Sequence, residues 1–300
     1  MLRWRLAISL ILIPLLALVF YVDAQSGPAG VGLFVLCELL ALRAVWELYE
    51  LLKPRHPRLH APLLLAGTAG VIYAAWHPHF VAPLEMAATT NLTGVAIALS
   101  IVIMLLLGRT AAEFRQPGTS VECVAVELLM ILYAGLLLAV TAQLRWVAGA
   151  EAGYLAIGSL VVSVKGGDVG AYLAGKSLRG PRLAPILSPR KTWSGAIGGV
   201  LASSLLGAAW LVGTTSWFLP GTVPPPLWAG LLYSAVLGIV GIGGDLCESL
   251  IKRDVDRKDS APLMPGFGGV LDLLDSLLFA GPVAYLLWQV LPLRPLSVGV

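Results

Sequence analysis

Val270-Leu-Asp272-Leu-Leu-Asp275-Ser-Leu-Leu-Phe-Ala-Gly-Pro-Val-Ala-Tyr-Leu-Leu-Trp-Gln-Val290 carries no charge beyond its first two turns. At 1.5 Å per residue it is long enough, as a helix, to cross the ~30 Å of a bilayer's hydrocarbon. Similar apolar runs recur near 6–22, 28–50, 61–77, 90–107, 121–141, 152–164, 193–213 and 227–243. The expectation is an all-α, polytopic integral membrane protein with about nine transmembrane helices.

Composition points the same way. The 300 residues are 58% hydrophobic and 12% charged, where soluble domains carry about 25% charged residues. This excludes a disordered chain, a disulfide scaffold and a soluble nucleic-acid binder. The apolar runs do not alternate with polar residues, which argues against a β-barrel. Cys37, Cys123 and Cys247 are far apart and none belongs to a CxxC pair, so they read as small apolar side chains. His56, His60, His77 and His79 fall in two short Pro-containing connections and read as interfacial.

Lys and Arg cluster in alternate connections, with six between Lys165 and Lys191 and four between Lys252 and Lys258. Only Arg145 and Arg294 fall on the opposite side, and the connections at 78–89 and 214–226 have none. By the positive-inside rule the N-terminus and the two long charged segments, 165–192 and 244–269, face the cytoplasm. The first span is expected to be retained, because the topology closes only with it in place. Residues 1–150 read as N-terminal transmembrane helices serving as scaffold, and 151–300 as a catalytic region.

Charges at membrane depth are costly and ask for a partner or a cavity. Arg43 and Glu47 stand four apart on one helix face and are expected to pair; Glu122 and Glu127 lie near a span start, within reach of the interface. Asp272 and Asp275, three apart at the head of an apolar helix without Lys or Arg, project from one face and repel unless a cation sits between them. A hard divalent metal suits such a pair. Before them, Gly266, Gly268 and Gly269 around Phe267 suggest backbone N–H groups offered to phosphate at a helix N-terminus. Upstream, Asp245, Glu248, Ser249, Lys252, Arg253, Lys258 and Asp259 mix both signs, as phosphoryl-type chemistry requires. Asp168, in Gly-Gly-Asp-Val-Gly-Ala-Tyr, and the cluster Ser188-Pro189-Arg190-Lys191-Thr192 complete the set.

Ser249-Leu-Ile-Lys252-Arg253, then Lys258-Asp259, then Pro265-Gly266-Phe267-Gly268-Gly269-Val-Leu-Asp272-Leu273-Leu-Asp275 resembles the C-terminal signature of the phosphatidate cytidylyltransferases. The blocks Asp168-Val-Gly-Ala-Tyr-Leu-Ala-Gly and Leu183-Ala-Pro-Ile-Leu-Ser188-Pro189-Arg190-Lys191-Thr192-Trp193 look like that family's two preceding blocks, in the same order, over about 160–290. Phe267 stands where the family typically has His, and Leu273 where it has Arg.

The resemblance implies transfer of CMP from CTP to phosphatidate at the lipid bilayer, yielding CDP-diacylglycerol and pyrophosphate, with Mg²⁺ as cofactor. It implies Asp245, Asp272 and Asp275 as metal ligands, with Lys252 and Arg253 beside them in catalysis. Asp168, Ser188, Arg190, Lys191, Thr192, Ser249, Lys258, Asp259, Gly266, Gly268 and Gly269 then bind substrate. Asp168 is left open between holding the metal and ordering a basic partner. The enzyme is expected in a bacterial inner membrane with its site facing the cytoplasm; a homodimer is an open alternative to a monomer. The competing readings are a divergent member acting on another lipid phosphate, an inactive relative, and a membrane carrier.

Overall fold

The computed structural model describes residues 2–81, 84–149, 152–264 and 268–297. Helices dominate: α1 (Leu2–Gln25), α2 (Val31–Leu52), α3 (Ala61–Val81), α4 (Leu84–Glu113), α5 (Ser120–Ile131), α6 (Leu137–Ala142), α7 (Gly153–Leu178), α8 (Trp193–Phe218), α9 (Leu227–Asp254) and α10 (Val270–Val290). A π-helical turn, Leu132–Leu136, joins α5 to α6. The strands are short: β1 (Arg182–Ala184) pairs antiparallel with β2 (Ser188–Thr192), and β3 (Thr222–Val223) with β4 (Leu296–Ser297).

Five helical stretches among the described residues are long and apolar enough to cross a membrane: Thr93–Glu113, Ser120–Arg145, Trp193–Phe218, Leu227–Asp254 and Val270–Val290. The protein is thus a helical integral membrane protein; among the described residues these five spans do not confirm the expected count of about nine. α2 falls short through its charges, Glu38, Arg43, Glu47 and Glu50, and α7 through Lys165, Asp168 and its glycines. Neither long charged segment is a loop throughout. Residues 165–178 continue α7, and α9 runs on to Asp254. His77 and His79 are likewise within α3, with His79 buried.

The chain divides into two compact units, Met1–Ala142 with Val255–Leu273, and Gln143–Asp254 with Leu274–Val300. In the first unit, Arg43 Nε donates to Glu47 Oε1 at 3.0 Å, the expected pair. Glu127 is fully buried instead of interfacial; it accepts from Arg109 Nη2 at 2.9 Å and from the His60 N–H at 2.7 Å. Glu122 lies 3.7 Å from His56 Nδ1.

In the second unit α7 and α8 meet along small residues. A Cβ on Gly170 would overlap that of Ala202, and one on Gly198 that of Ala174. Backbones approach this closely only where side chains vanish, which is how helices associate when lipid removes the hydrophobic drive between them. The opposite face of α8 exposes Ile197, Leu201 and Leu205 at helical spacing, an apolar stripe suited to lipid. The contact turns 165–178 into a helix despite its glycines and so fixes Lys165 and Asp168. Deeper in the unit, the Tyr233 hydroxyl meets Ser159 Oγ at 2.9 Å, and the Tyr233 ring packs edge-on against fully buried Trp288.

The β1–β2 hairpin leads straight into α8. Thr192 caps that helix, its Oγ1 accepting from the Gly195 N–H at 3.1 Å. Pairing is irregular: Arg182 faces Thr192 and Ala184 faces Ser188, so Pro189, Arg190 and Lys191 bulge opposite Leu183.

Candidate active site

Three aspartates from three helices gather in the second unit. Asp168 on α7 follows Lys165 by three residues, the spacing that puts both on one face. Lys165 Nζ lies 3.0 Å from Ser276 Oγ, 3.4 Å from Asp168 Oδ2 and 3.9 Å from Asp275 Oδ1. Asp275 is 8% exposed; its Oδ1 accepts from the Ser276 N–H at 2.5 Å and the Ser276 hydroxyl at 2.9 Å. Asp245 on α9 pairs with Lys191 of the hairpin at 2.6 Å. Its charge is close enough to act on both Asp168 and Asp275. Gly244 permits this: a Cβ there would come within 2.8 Å of the Asp275 carbonyl oxygen and 2.9 Å of Phe279 Cβ. Three carboxylates against two lysines leave a local excess of one negative charge, the balance that draws a further cation.

Below Asp245 the same face of α9 carries Glu248, Ser249 and Lys252. Ser249 Oγ donates to Asp245 Oδ1 at 3.4 Å. Lys252 is buried and donates to Glu248 Oε2 at 2.5 Å. Its ammonium, expected beside the metal ligands in catalysis, rests here against a buried carboxylate. Arg253 Nε reaches the Leu187 carbonyl oxygen at 3.4 Å, tying the end of α9 to the hairpin turn. Ser188 is half-buried in β2, Thr192 serves as the α8 cap, and Arg190 is exposed.

In the first unit, Asp272 Oδ2 accepts from the Gly269 N–H at 2.8 Å, the Ser260 N–H at 2.9 Å and Ser260 Oγ at 2.7 Å. It caps α10 from the third position of that helix. The Gly268 N–H donates to the Met264 carbonyl, and the Val270 and Leu271 N–H groups donate to the Glu47 carboxylate. The expected phosphate cradle of backbone donors is therefore not formed by 268–271, since each of those N–H groups already has an acceptor. Lys258 and Asp259 are exposed. Gly266 and Phe267 lie outside the described residues; Leu273 is half-buried.

Among the described residues no three Asp, Glu, His or Cys side chains form a group that could hold a metal. Mg²⁺ does not require such a cage, being held typically by one or two carboxylates plus substrate phosphates and waters. Lys165 and Ser276 were not singled out from sequence as site residues. The Lys165/Asp168 spacing was a legible signal, while Ser276 looked like one polar residue in an apolar helix.

Aspartates and lysines brought together in a helical membrane protein are the groups that phosphoryl-type chemistry employs. Comparison places this protein more narrowly: residues 3–291 match the model of the cytidylyltransferase family, and the chain belongs to that family. It is 42% identical over 137 residues to the phosphatidate cytidylyltransferase of Brucella suis, covering 45% of this chain and 47% of that protein. Identity to the Synechocystis enzyme of that name is 44% over 120 residues, 39% of this chain and 38% of the relative. For the Pseudomonas aeruginosa enzyme it is 45% over 131 residues, 43% and 46% respectively. In these matches the chain spans less than half the length of the relative.

Proposed function

We propose that this chain transfers CMP from CTP to phosphatidate, giving CDP-diacylglycerol and pyrophosphate. The observation that carries the reading is the meeting of Asp168, Asp245 and Asp275 with Lys165 and Lys191 in a member of the cytidylyltransferase family. The relatives' names supply the substrates.

The phosphate of the lipid is anionic at neutral pH and needs no protein nucleophile. Its oxygen attacks the α-phosphorus of CTP, the new P–O bond forming as the bond to the β-phosphate oxygen breaks, and pyrophosphate leaves. Lys191 swings from Asp245 to the phosphates, and Lys165 neutralises charge on the side of Asp275 and Ser276. Arg190, exposed on the same hairpin, meets the outer phosphates. Asp245 and Asp275 would hold Mg²⁺, which supplies charge neutralisation at the transferring and leaving phosphates. Asp168 orders Lys165 through their 3.4 Å contact. The site opens to the cytoplasm, where CTP is, because the Lys- and Arg-rich ends lie on that side; the membrane is a bacterial inner membrane.

The test is direct. Purified protein with CTP, phosphatidate and Mg²⁺ is expected to release pyrophosphate in step with CDP-diacylglycerol, and to stop when any one of the three is omitted. Absence of both products under all lipid compositions would refute the reading.

A further inference from the structure

Glu47 lies on α2, outside the signature blocks between 160 and 290, and its side chain is fully buried. Its Oε1 accepts from Arg43 Nε at 3.0 Å and from the Val270 N–H at 2.9 Å. Its Oε2 accepts from the Leu271 N–H at 2.9 Å and from Ser260 Oγ at 2.8 Å. One carboxylate thus joins α2, the first turn of α10 and the segment before it. An Arg43 pair alone, the reading from spacing, accounts for one of these four contacts.

The first turn of a helix has orphan N–H donors and a positive end, usually met by a residue just before it in the chain. Here Asp272 takes the Gly269 N–H, and Glu47, over two hundred positions earlier, takes the next two. Ser260 Oγ stands between the two carboxylates, 2.8 Å from Glu47 Oε2 and 2.7 Å from Asp272 Oδ2. Its single proton serves one of them at a time. The backbone is shaped around the contact: a Cβ on Gly269 would overlap both Glu47 Oε2 and Ser260 Oγ. The glycine of the signature turn is needed here for the approach of a carboxylate.

We propose that Glu47 is a positioning residue for the transfer reaction, a latch from α2 that fixes where α10 begins. The proposal rests on the cytidylyl-transfer reading for its kinetic consequence and on geometry alone for the latch. Asp275 is carried on the same helix one turn further on, and a displacement of about 1 Å at a reacting centre can cost about a hundredfold in rate. Glutamine cannot replace the carboxylate, because it offers one acceptor oxygen and turns an NH₂ group toward a donor.

The full chain in detergent, as wild type, Glu47→Gln, Glu47→Ala and Ser260→Ala, tests this by amide hydrogen exchange over 268–273 and by steady-state kinetics in CTP. Both Glu47 variants are expected to exchange the Val270 and Leu271 amides at least about tenfold faster, as loss of charge-assisted hydrogen bonds implies. Their kcat should fall at least about tenfold while KM for CTP moves by less than about threefold. Ser260→Ala should keep those amides protected and lose less activity. Wild-type exchange at 270 and 271 in Glu47→Gln overturns the latch, and faster exchange with unchanged kcat overturns the positioning role. An effect confined to KM would place Glu47 at the substrate and also overturn it. If Glu47→Ala does not fold, Glu47→Gln decides. A wild-type chain without turnover refutes the transfer reading, and the exchange measurement then decides the latch by itself.

Discussion

Replacing Asp275 by Asn removes one charge at nearly constant volume. The Asn oxygen can still accept from the Ser276 N–H and hydroxyl, which stand 2.5 and 2.9 Å from Asp275 Oδ1. What disappears is attraction to Lys165 at 3.9 Å, about 4 kcal/mol as bare Coulomb energy at an effective dielectric constant of about 20, together with an opposing repulsion from Asp245. Burying the carboxylate, 8% exposed, itself costs several kcal/mol. These contributions oppose one another, so stability should change by no more than about 1 kcal/mol, a few degrees in Tm. Turnover should fall by at least about a hundredfold, as when a preorganised electrostatic group is removed from an active site. Pyrophosphate release with CTP, phosphatidate and Mg²⁺, beside a fluorescence melt, measures both. A folded Asp275→Asn protein that keeps more than a tenth of wild-type turnover would refute the assignment.

Lys191→Ala frees Asp245 from its 2.6 Å partner and should raise KM for CTP about tenfold or more, with Lys191→Arg intermediate, read from initial rates. Lys252→Met should lower Tm rather than raise KM, because it strips the counter-charge from buried Glu248, and Glu248→Gln in the same chain should recover much of the loss. With Cys247 replaced, a cysteine at position 258 should react with an impermeant thiol reagent only when the cytoplasmic face is open; labelling from outside intact cells would reverse the orientation.

The apolar runs made the helices legible, and the ordered blocks made the family legible, because both are local patterns. Tertiary partners were not. Lys252 and Glu248, four residues apart, read from sequence only as part of a charge mixture and not as a buried pair. The turn at 268–271 looked like an anion cradle because Glu47, which takes the Val270 and Leu271 N–H groups, is remote in sequence. The stretch 165–178 looked like a connection because glycines break isolated helices; against α8 the same glycines are what lets the helix pack. Asp245, Asp275 and Asp168 could be chosen one by one, but only the fold brings Lys165 among them.

The bulge in β2 makes chain length part of substrate recognition. Pro189, Arg190 and Lys191 share one opposing residue, and of the two adjacent cations only Lys191 is delivered to Asp245. Removing a single residue between Ser188 and Thr192 would re-aim the strand and offer a planar, forked guanidinium where a compact ammonium now stands. Thr192 is pinned as the α8 cap, so the shift could not be absorbed downstream. Among functional variants of this hairpin, substitutions should therefore be common and insertions or deletions across 188–192 rare.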